Sequence, residues 1–146
     1  MDLLLNQPLS YDALAAFLAE NYAPYAFFLL YEGHNDWDDV PPQSRILQYT
    51  VQEAQRGAFR YGLSVFMPTD DLRPFLENLS ATLARYFACG VVCDASRVVL
   101  TPHHLYYALL FEQDTVYLVD DRFYEEDGTL TKVIALNYAC PPLPPL

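Results

Sequence analysis

Three strand-like runs of residues follow one another in the last third of the chain, at residues 105–111, 115–119 and 131–138. Short polar joints separate them, and the second joint contains Asp127-Gly128, where glycine tolerates the positive φ of a turn. The first run, Leu-Tyr-Tyr-Ala-Leu-Leu-Phe, is apolar on both faces. Because alternate side chains of a strand point to opposite faces, both faces of this strand must be covered. The pattern predicts a β-meander whose first strand is central in a sheet.

The chain upstream of the meander predicts three helices. Ser10 is a good N-cap for a helix whose apolar residues recur at three- and four-residue spacing, and Ala23-Pro24 ends that helix. Apolar residues at positions 47, 51, 54, 58 and 61 predict a second helix over residues 44–60. A third apolar stripe predicts a helix that stops at Gly90, with a helix-start signal at residues 69–71. Because the proline at position 74 fits only a first turn, either the helix proper begins near Arg73 or its opening turn is irregular.

Two further runs predict strands, and two shorter ones are only β-like. Residues 25–31 and 62–67 are apolar and bounded by proline or glycine, and residues 91–92 and 97–100 are shorter β-like runs. Together with the meander, they predict an α+β fold, with three helices packed on a five- or six-stranded, mostly antiparallel sheet. A chain of 146 residues buries roughly two thirds of its unfolded surface, so we expect residues 1–146 to form a single domain.

The sequence closes on Cys-Pro-Pro-Leu-Pro-Pro-Leu, which favours polyproline II. This segment matches the Pro-x-x-Pro pattern that aromatic grooves recognise. The alternative is a rigid Pro-rich tail that lies on the surface without binding anything, and we expect this alternative.

The net charge of −11, from 19 acidic and 8 basic residues, restricts the partners of the chain. Nucleic acids and anionic membranes are bound mainly through Lys and Arg, so neither is expected as a partner. A basic protein partner is favoured instead. No apolar run approaches the roughly 20 residues that span a bilayer, and an acid follows the first methionine, so we expect a cytoplasmic protein.

Catalytic motifs are missing from the sequence. It has no phosphate-binding glycine loop, no nucleophile elbow and no zinc-protease helix. His34, His103 and His104 could converge with an aspartate into a metal or acid/base site, but exposed loop histidines are the simpler interpretation. Cysteines 89, 93 and 140 lack disulfide or zinc spacing and are interpreted as reduced thiols. We therefore expect no enzymatic activity, no cofactor and no metal.

Two clusters of acidic residues contain aromatic residues, and both are predicted to stand outside the core. Acidic loops usually serve only to keep a protein in solution. Aromatic anchors surrounded by charge are, however, typical of interface hot spots. We therefore predict that both clusters bind a partner. The predicted residues are Asp36, Trp37, Asp38 and Asp39 in the first cluster, and Asp120, Asp121, Phe123, Tyr124, Glu125 and Glu126 in the second.

In size, acidity and predicted architecture the chain resembles small acidic bacterial immunity proteins that neutralise a cognate toxin. Arginine outnumbers lysine seven to one, which indicates a GC-rich bacterial genome. The resemblance implies a cytoplasmic inhibitor that occludes the active site of a basic toxin, as a monomer or homodimer. A secretion chaperone that binds a segment of an effector is the alternative, and a small enzyme with a His/Asp site is the third possibility.

Overall fold

The computed structural model describes residues 1–100 and 106–146, without the side chain of Glu125. Its two helices are α1 (Tyr11–Asn21) and α2 (Arg73–Phe87), and single helical turns lie at Ala23–Tyr25, Trp37–Asp39 and Tyr124–Asp127. The strands are β1 (Leu3–Leu5), β2 (Phe28–Tyr31), β3 (Ile46–Val51), β4 (Tyr61–Phe66), β5 (Gly90–Asp94), β6 (Tyr107–Glu112), β7 (Thr115–Asp120) and β8 (Thr131–Ala135).

The eight strands form one mixed sheet in the order β2-β3-β4-β1-β5-β6-β7-β8. Strands β2 and β3 are parallel, and all other neighbours are antiparallel. The fold is α+β, but the prediction of three helices on a five- or six-stranded, mostly antiparallel sheet is wrong. The described residues form two helices on an eight-stranded mixed sheet.

The largest error is the helix predicted over residues 44–60. The first part of this segment is strand β3, and the rest is the turn-rich connection to β4. Within β3, Leu47 and Tyr49 are buried while Gln48 and Thr50 are partly exposed, which is the two-residue alternation of a strand. Pairing with β2 on one side and β4 on the other stabilises this conformation. The four-three spacing of apolar residues across the segment was therefore a coincidence.

Smaller differences concern the bounds of other strands. Strand β1 was not predicted, since three residues are too few to show a period. The strand predicted over residues 25–31 begins only at Phe28, because Tyr25 belongs to a helical turn. The β-like run predicted over residues 97–100 begins in a turn that follows β5 and forms no strand. The last run of the meander, predicted to reach residue 138, ends as strand β8 at Ala135. The first residue of the predicted meander, position 105, lies outside the described residues.

Three sequence predictions are confirmed. The Ser10 hydroxyl accepts a hydrogen bond from the Ala13 N–H at 3.1 Å and caps α1. Helix α2 begins at Arg73 with a proline in its first turn. Strands β6, β7 and β8 form the meander, and β6 is an interior strand that is buried on both faces.

Both helices cover one face of the sheet, which we call the helical face. Rings from α1 and α2 meet there: Phe17 contacts Tyr86 at 5.2 Å and Phe87 at 5.5 Å between ring centroids. This face carries the main hydrophobic core. Its strand residues, all buried, include Leu3, Leu5, Leu47, Tyr49, Leu63, Val65, Val91, Cys93, Leu109 and Phe111.

The opposite face, which we call the open face, is covered by loops. Ala108, Leu110 and Val119 form a small second cluster there, under Phe59 of the β3–β4 connection and Leu130 of the β7–β8 connection. The two connections touch at Gly57 and Gly128, where a Cβ on Gly57 would lie 2.9 Å from the Gly128 carbonyl oxygen. Both glycines have positive φ, so glycine is required at this crossing for space and for conformation.

Candidate functional site

The first acidic cluster forms a compact helical turn between β2 and β3. The Asp36 carboxylate accepts a hydrogen bond from the Asp38 N–H at 3.0 Å, and the Asp39 carboxylate accepts one from the Asp36 N–H at 2.9 Å. This reciprocal arrangement is a capping box, which fixes the backbone of a short turn. The two carboxylates therefore hold Trp37 in a defined position.

The Trp37 side chain packs against an exposed aromatic ring of β4. Its indole packs edge-on against Phe66, at 5.6 Å between centroids and 76° between planes. Phe66 follows the buried Val65 in β4, so alternation places it on the open face. The two side chains are 54% and 44% exposed, respectively. Two large aromatic side chains thus form an apolar patch that the described residues leave about half exposed.

The carboxylates around this patch are not neutralised by nearby cations. Asp36, Asp38 and Asp39 are exposed, and no cation among residues 1–100 and 106–146 forms an ion pair with them. Asp70 is also exposed and follows Phe66 in the connection to α2. The patch therefore has an aromatic centre and an acidic rim.

The second acidic cluster is partly neutralised. The Arg122 guanidinium donates to the Asp120 carboxylate at 2.6 Å and lies 5.8 Å from the centre of the Tyr106 ring. The hydrogen bond from Arg122 lowers the pKa of Asp120. Phe123 is 54% exposed, and Glu126 is exposed as well. Phe123 is thus the aromatic side chain that this cluster presents to solvent.

Tyr124 is built into the structure rather than displayed on it. Its ring is only 8% exposed, and its hydroxyl donates a hydrogen bond to the Phe59 carbonyl. Burial raises the pKa of Tyr124 to about 12. This side chain connects the two loops of the open face. The side chain of Glu125 is not among the described parts of the chain.

The two predicted clusters lie at the same end of the sheet. Strands β4 and β7 run in the same direction, so that Phe66 and Asp120 mark corresponding strand ends. Three strands, β1, β5 and β6, lie between them. At about 4.8 Å per strand step, the two strand ends are roughly 19 Å apart. One partner of ordinary size could contact both clusters.

An acidic cleft occupies the space between the two clusters. It has a volume of about 330 Å³ and lies over β1, β5 and β6. The Asp2 carboxylate accepts a hydrogen bond from the Val65 N–H at 2.8 Å, and the Asp94 carboxylate accepts one from the Ser96 N–H at 3.0 Å. Its polar and apolar walls include Asp2, Asp94, Asp121, Met1, Leu4, Val92, Tyr107 and Ala108. The cleft adds negative charge between the two clusters.

The histidine site considered from the sequence can be examined only in part. His103 and His104 lie outside the described residues. His34 stacks on Tyr11, with ring centroids 3.7 Å apart. Within residues 1–100 and 106–146, no group of three His, Cys, Asp or Glu side chains could hold a metal ion. No helix in the same part of the chain combines the length and apolar character needed to cross a membrane.

Sequence reasoning missed several residues of this surface. Phe66 could have been found, since it ends a strand in which Leu63 and Val65 take the alternate, core-facing positions. Asp2 and Asp94 could not have been found, because their proximity depends on the pairing of β1 with β5, which are 90 residues apart in sequence.

Comparisons with known proteins identify no relative. A scan against protein-family models finds no matching family, and searches of curated proteins and of solved structures find no match either. The function is therefore inferred from the residues of this chain alone.

Proposed function

We propose that this protein binds and neutralises a basic protein partner, as an immunity protein neutralises a bacterial toxin. The observation that carries the proposal is the exposed Trp37–Phe66 pair with its acidic rim. Binding energy in protein interfaces concentrates in large aromatic side chains that insert into pockets of the partner. The capping box of Asp36 and Asp39 holds Trp37 in place beforehand, which lowers the entropy lost on binding.

The charge distribution supports a basic partner. The carboxylates beside the aromatic pair form no ion pair with any cation of the described residues, and the acidic cleft extends the negative surface toward the second cluster. Complementary charges accelerate the encounter of two proteins and orient them before contact. An inhibitor of a toxin benefits from this acceleration, because it must bind the toxin before the toxin reaches its target.

Capture of the partner tests the proposal. The full chain is immobilised through Cys140, the exposed cysteine, while Cys89 and Cys93 are buried. Cys140 lies in the C-terminal segment, which packs on the helical face, so attachment there leaves the open face free. Lysate of the source organism is passed over the wild type, the Trp37→Ala variant and the Tyr86→Ala variant. Tyr86 is the matched control, since it is 44% exposed but belongs to α2.

We expect one basic protein to be retained by the wild type and by Tyr86→Ala but not by Trp37→Ala. Expression of the captured partner alone should arrest cell growth, and co-expression with the wild-type chain should restore growth. Its association rate should fall between low salt and about 0.5 M, because the Debye length shrinks toward a few Å. The Asp38→Asn variant should show a weaker salt dependence. A captured partner that is unfolded or harmless would contradict the proposal.

A further inference from the structure

The last eleven residues of the sequence cross the helical layer. This segment, residues 136–146, is called the proline strap. It leaves the sheet after β8, and Leu136 and Tyr138 pack against the main core. The Tyr138 ring contacts Phe111 edge-on at 5.4 Å. The strap then continues across α2 toward the helical turn at Ala23–Tyr25.

The contacts of the strap recur every three residues. The Tyr138 hydroxyl donates to the Glu77 carboxylate at 2.7 Å, the Pro141 carbonyl accepts from the Asn78 amide at 2.9 Å, and the Pro144 carbonyl accepts from the Tyr25 hydroxyl at 2.6 Å. These three strap residues are partly buried, whereas the residues between them are exposed. A period of three is that of polyproline II, whose carbonyls form no internal hydrogen bonds and are available to donors outside the helix.

Each side chain that receives the strap is held in place by a second one. The Tyr22 hydroxyl donates to the Asn78 side-chain oxygen at 2.9 Å, which directs the amide nitrogen toward Pro141. The Arg97 guanidinium donates two hydrogen bonds of 2.6 Å to Glu77, which is only 1% exposed. Tyr25 is 3% exposed and stacks on Phe27 with 9° between the ring planes.

We infer that Tyr25, Glu77 and Asn78 form a polyproline-binding groove, which the proline strap occupies in the absence of a partner. The ligand class is a left-handed, proline-rich segment of another protein, with residues spaced three apart. The occupant follows from the strap itself, which demonstrates the chemistry that this groove accepts. Grooves that bind such segments are characteristically lined by aromatic rings. Here Tyr25 supplies a ring, and Tyr25 and Asn78 donate hydrogen bonds to strap carbonyls.

The inference makes the strap an internal competitor. A segment attached to the same chain acts at an effective concentration in the mM range, so an external peptide binds only weakly while the strap is in place. Loosening the strap should therefore strengthen external binding, whereas damaging the groove should weaken it. A strap that serves only as structural support predicts neither effect.

The test uses the full chain and a fluorescein-labelled synthetic peptide of residues 138–146 with serine in place of cysteine. Fluorescence anisotropy gives its Kd for each variant. In the variant Pro141→Ala with Pro144→Ala, the Kd should fall about tenfold, because the two partly buried strap prolines lose apolar surface and a fixed φ. The matched control is Pro142→Ala with Pro145→Ala, which changes the exposed prolines and should lower the Kd by about twofold at most.

Adding Asn78→Ala to the first variant should raise the Kd about fivefold to tenfold, because one hydrogen bond to the peptide is lost. Tyr25→Phe, added to the same proline variant, should also raise the Kd. Because it keeps the aromatic ring, it serves as the test if Asn78→Ala fails to fold. Equal Kd values for both proline variants and the wild type would overturn the inference. A wild-type dimer that the first proline variant lacks, observed by light scattering, would also overturn it, since the groove would then hold the strap of a second copy.

Discussion

The two faces of the sheet are built from the same strands but differ in what covers them. Two helices and the proline strap cover the helical face, where aromatic rings and leucines form one continuous core. Within the part of the chain that the structure describes, loops cover the open face, over a cluster of three buried residues. Buried apolar area is the main source of stability. The helical face therefore stabilises the fold, while the open face can display exposed aromatic and acidic side chains at little cost.

The largest expected effect comes from two neighbouring residues of β6 that face opposite sides. Leu109 points into the main core and Leu110 into the small cluster, with exposures of 0% and 5%. Leu109→Ala should lower the free energy of unfolding by about 4 kcal/mol and Leu110→Ala by about 2 kcal/mol, because loops collapse around a cavity more readily than packed helices do. Urea denaturation measures both. A larger loss of unfolding free energy for Leu110→Ala than for Leu109→Ala would contradict the claim that the helical face contributes more to stability than the open face.

The next effect concerns the buried acid of the helical layer. Glu77→Gln should lower the free energy of unfolding by about 2 kcal/mol, since Arg97 and Tyr138 lose a charged acceptor. The matched control is Asp114→Asn, which breaks a largely exposed pair with Arg85 and should leave urea denaturation unchanged. Equal effects of the two substitutions would show that the buried pair does not stabilise the helical layer.

Glu77 also illustrates what sequence patterns can predict. The apolar stripe of α2 correctly predicted that Phe75, Leu76, Leu79 and Leu83 are buried, because helical periodicity is a local property. It also included Tyr86, which is 44% exposed. The same stripe places Glu77 on the solvent side. It is buried because the proline strap returns across α2 from 61 residues away along the chain. Long-range returns of this kind leave no periodic signal, and the same limitation explains the error over residues 44–60.

The candidate site was predictable to a similar degree. Composition identified both acidic clusters, and the structure shows Trp37 and Phe123 exposed. Composition could not distinguish Phe123 from Tyr124, because the two residues are adjacent and both aromatic. The difference depends on the crossing of Gly57 and Gly128, which brings the carbonyl of Phe59 to the Tyr124 hydroxyl. Local composition thus indicates a surface, and tertiary contacts determine which side chains it presents.

A smaller effect tests the role of Tyr124 in the open face. Tyr124→Phe should lower the free energy of unfolding by about 1 kcal/mol near neutral pH, because one buried hydrogen bond is lost. Burial raises the pKa of this phenol from 10.0 to about 12. The stabilisation is therefore complete below pH 10 and is lost as the pH rises through 12. The stability difference between wild type and variant should shrink between these values.

Urea denaturation at pH 8, 10 and 11 measures this difference in the free energy of unfolding. The contributions of the other tyrosines cancel, because wild type and Tyr124→Phe both contain them. Trp37→Ala is the reference at each pH, since its exposed side chain should contribute little to folding. A difference between wild type and Tyr124→Phe that stays constant or grows with pH would show that Tyr124 is not buried as described.

The most direct test of a binding role for the open face is the affinity of the captured partner for Trp37→Ala and Tyr86→Ala. Trp37→Ala should weaken binding by about 2 kcal/mol or more, mostly through faster dissociation, while its thermal unfolding stays at the wild-type temperature. Tyr86→Ala, on the helical layer, should bind as the wild type does. Wild-type affinity of a folded Trp37→Ala variant, together with weakened binding by Tyr86→Ala, would place the partner on the helical layer and contradict the account.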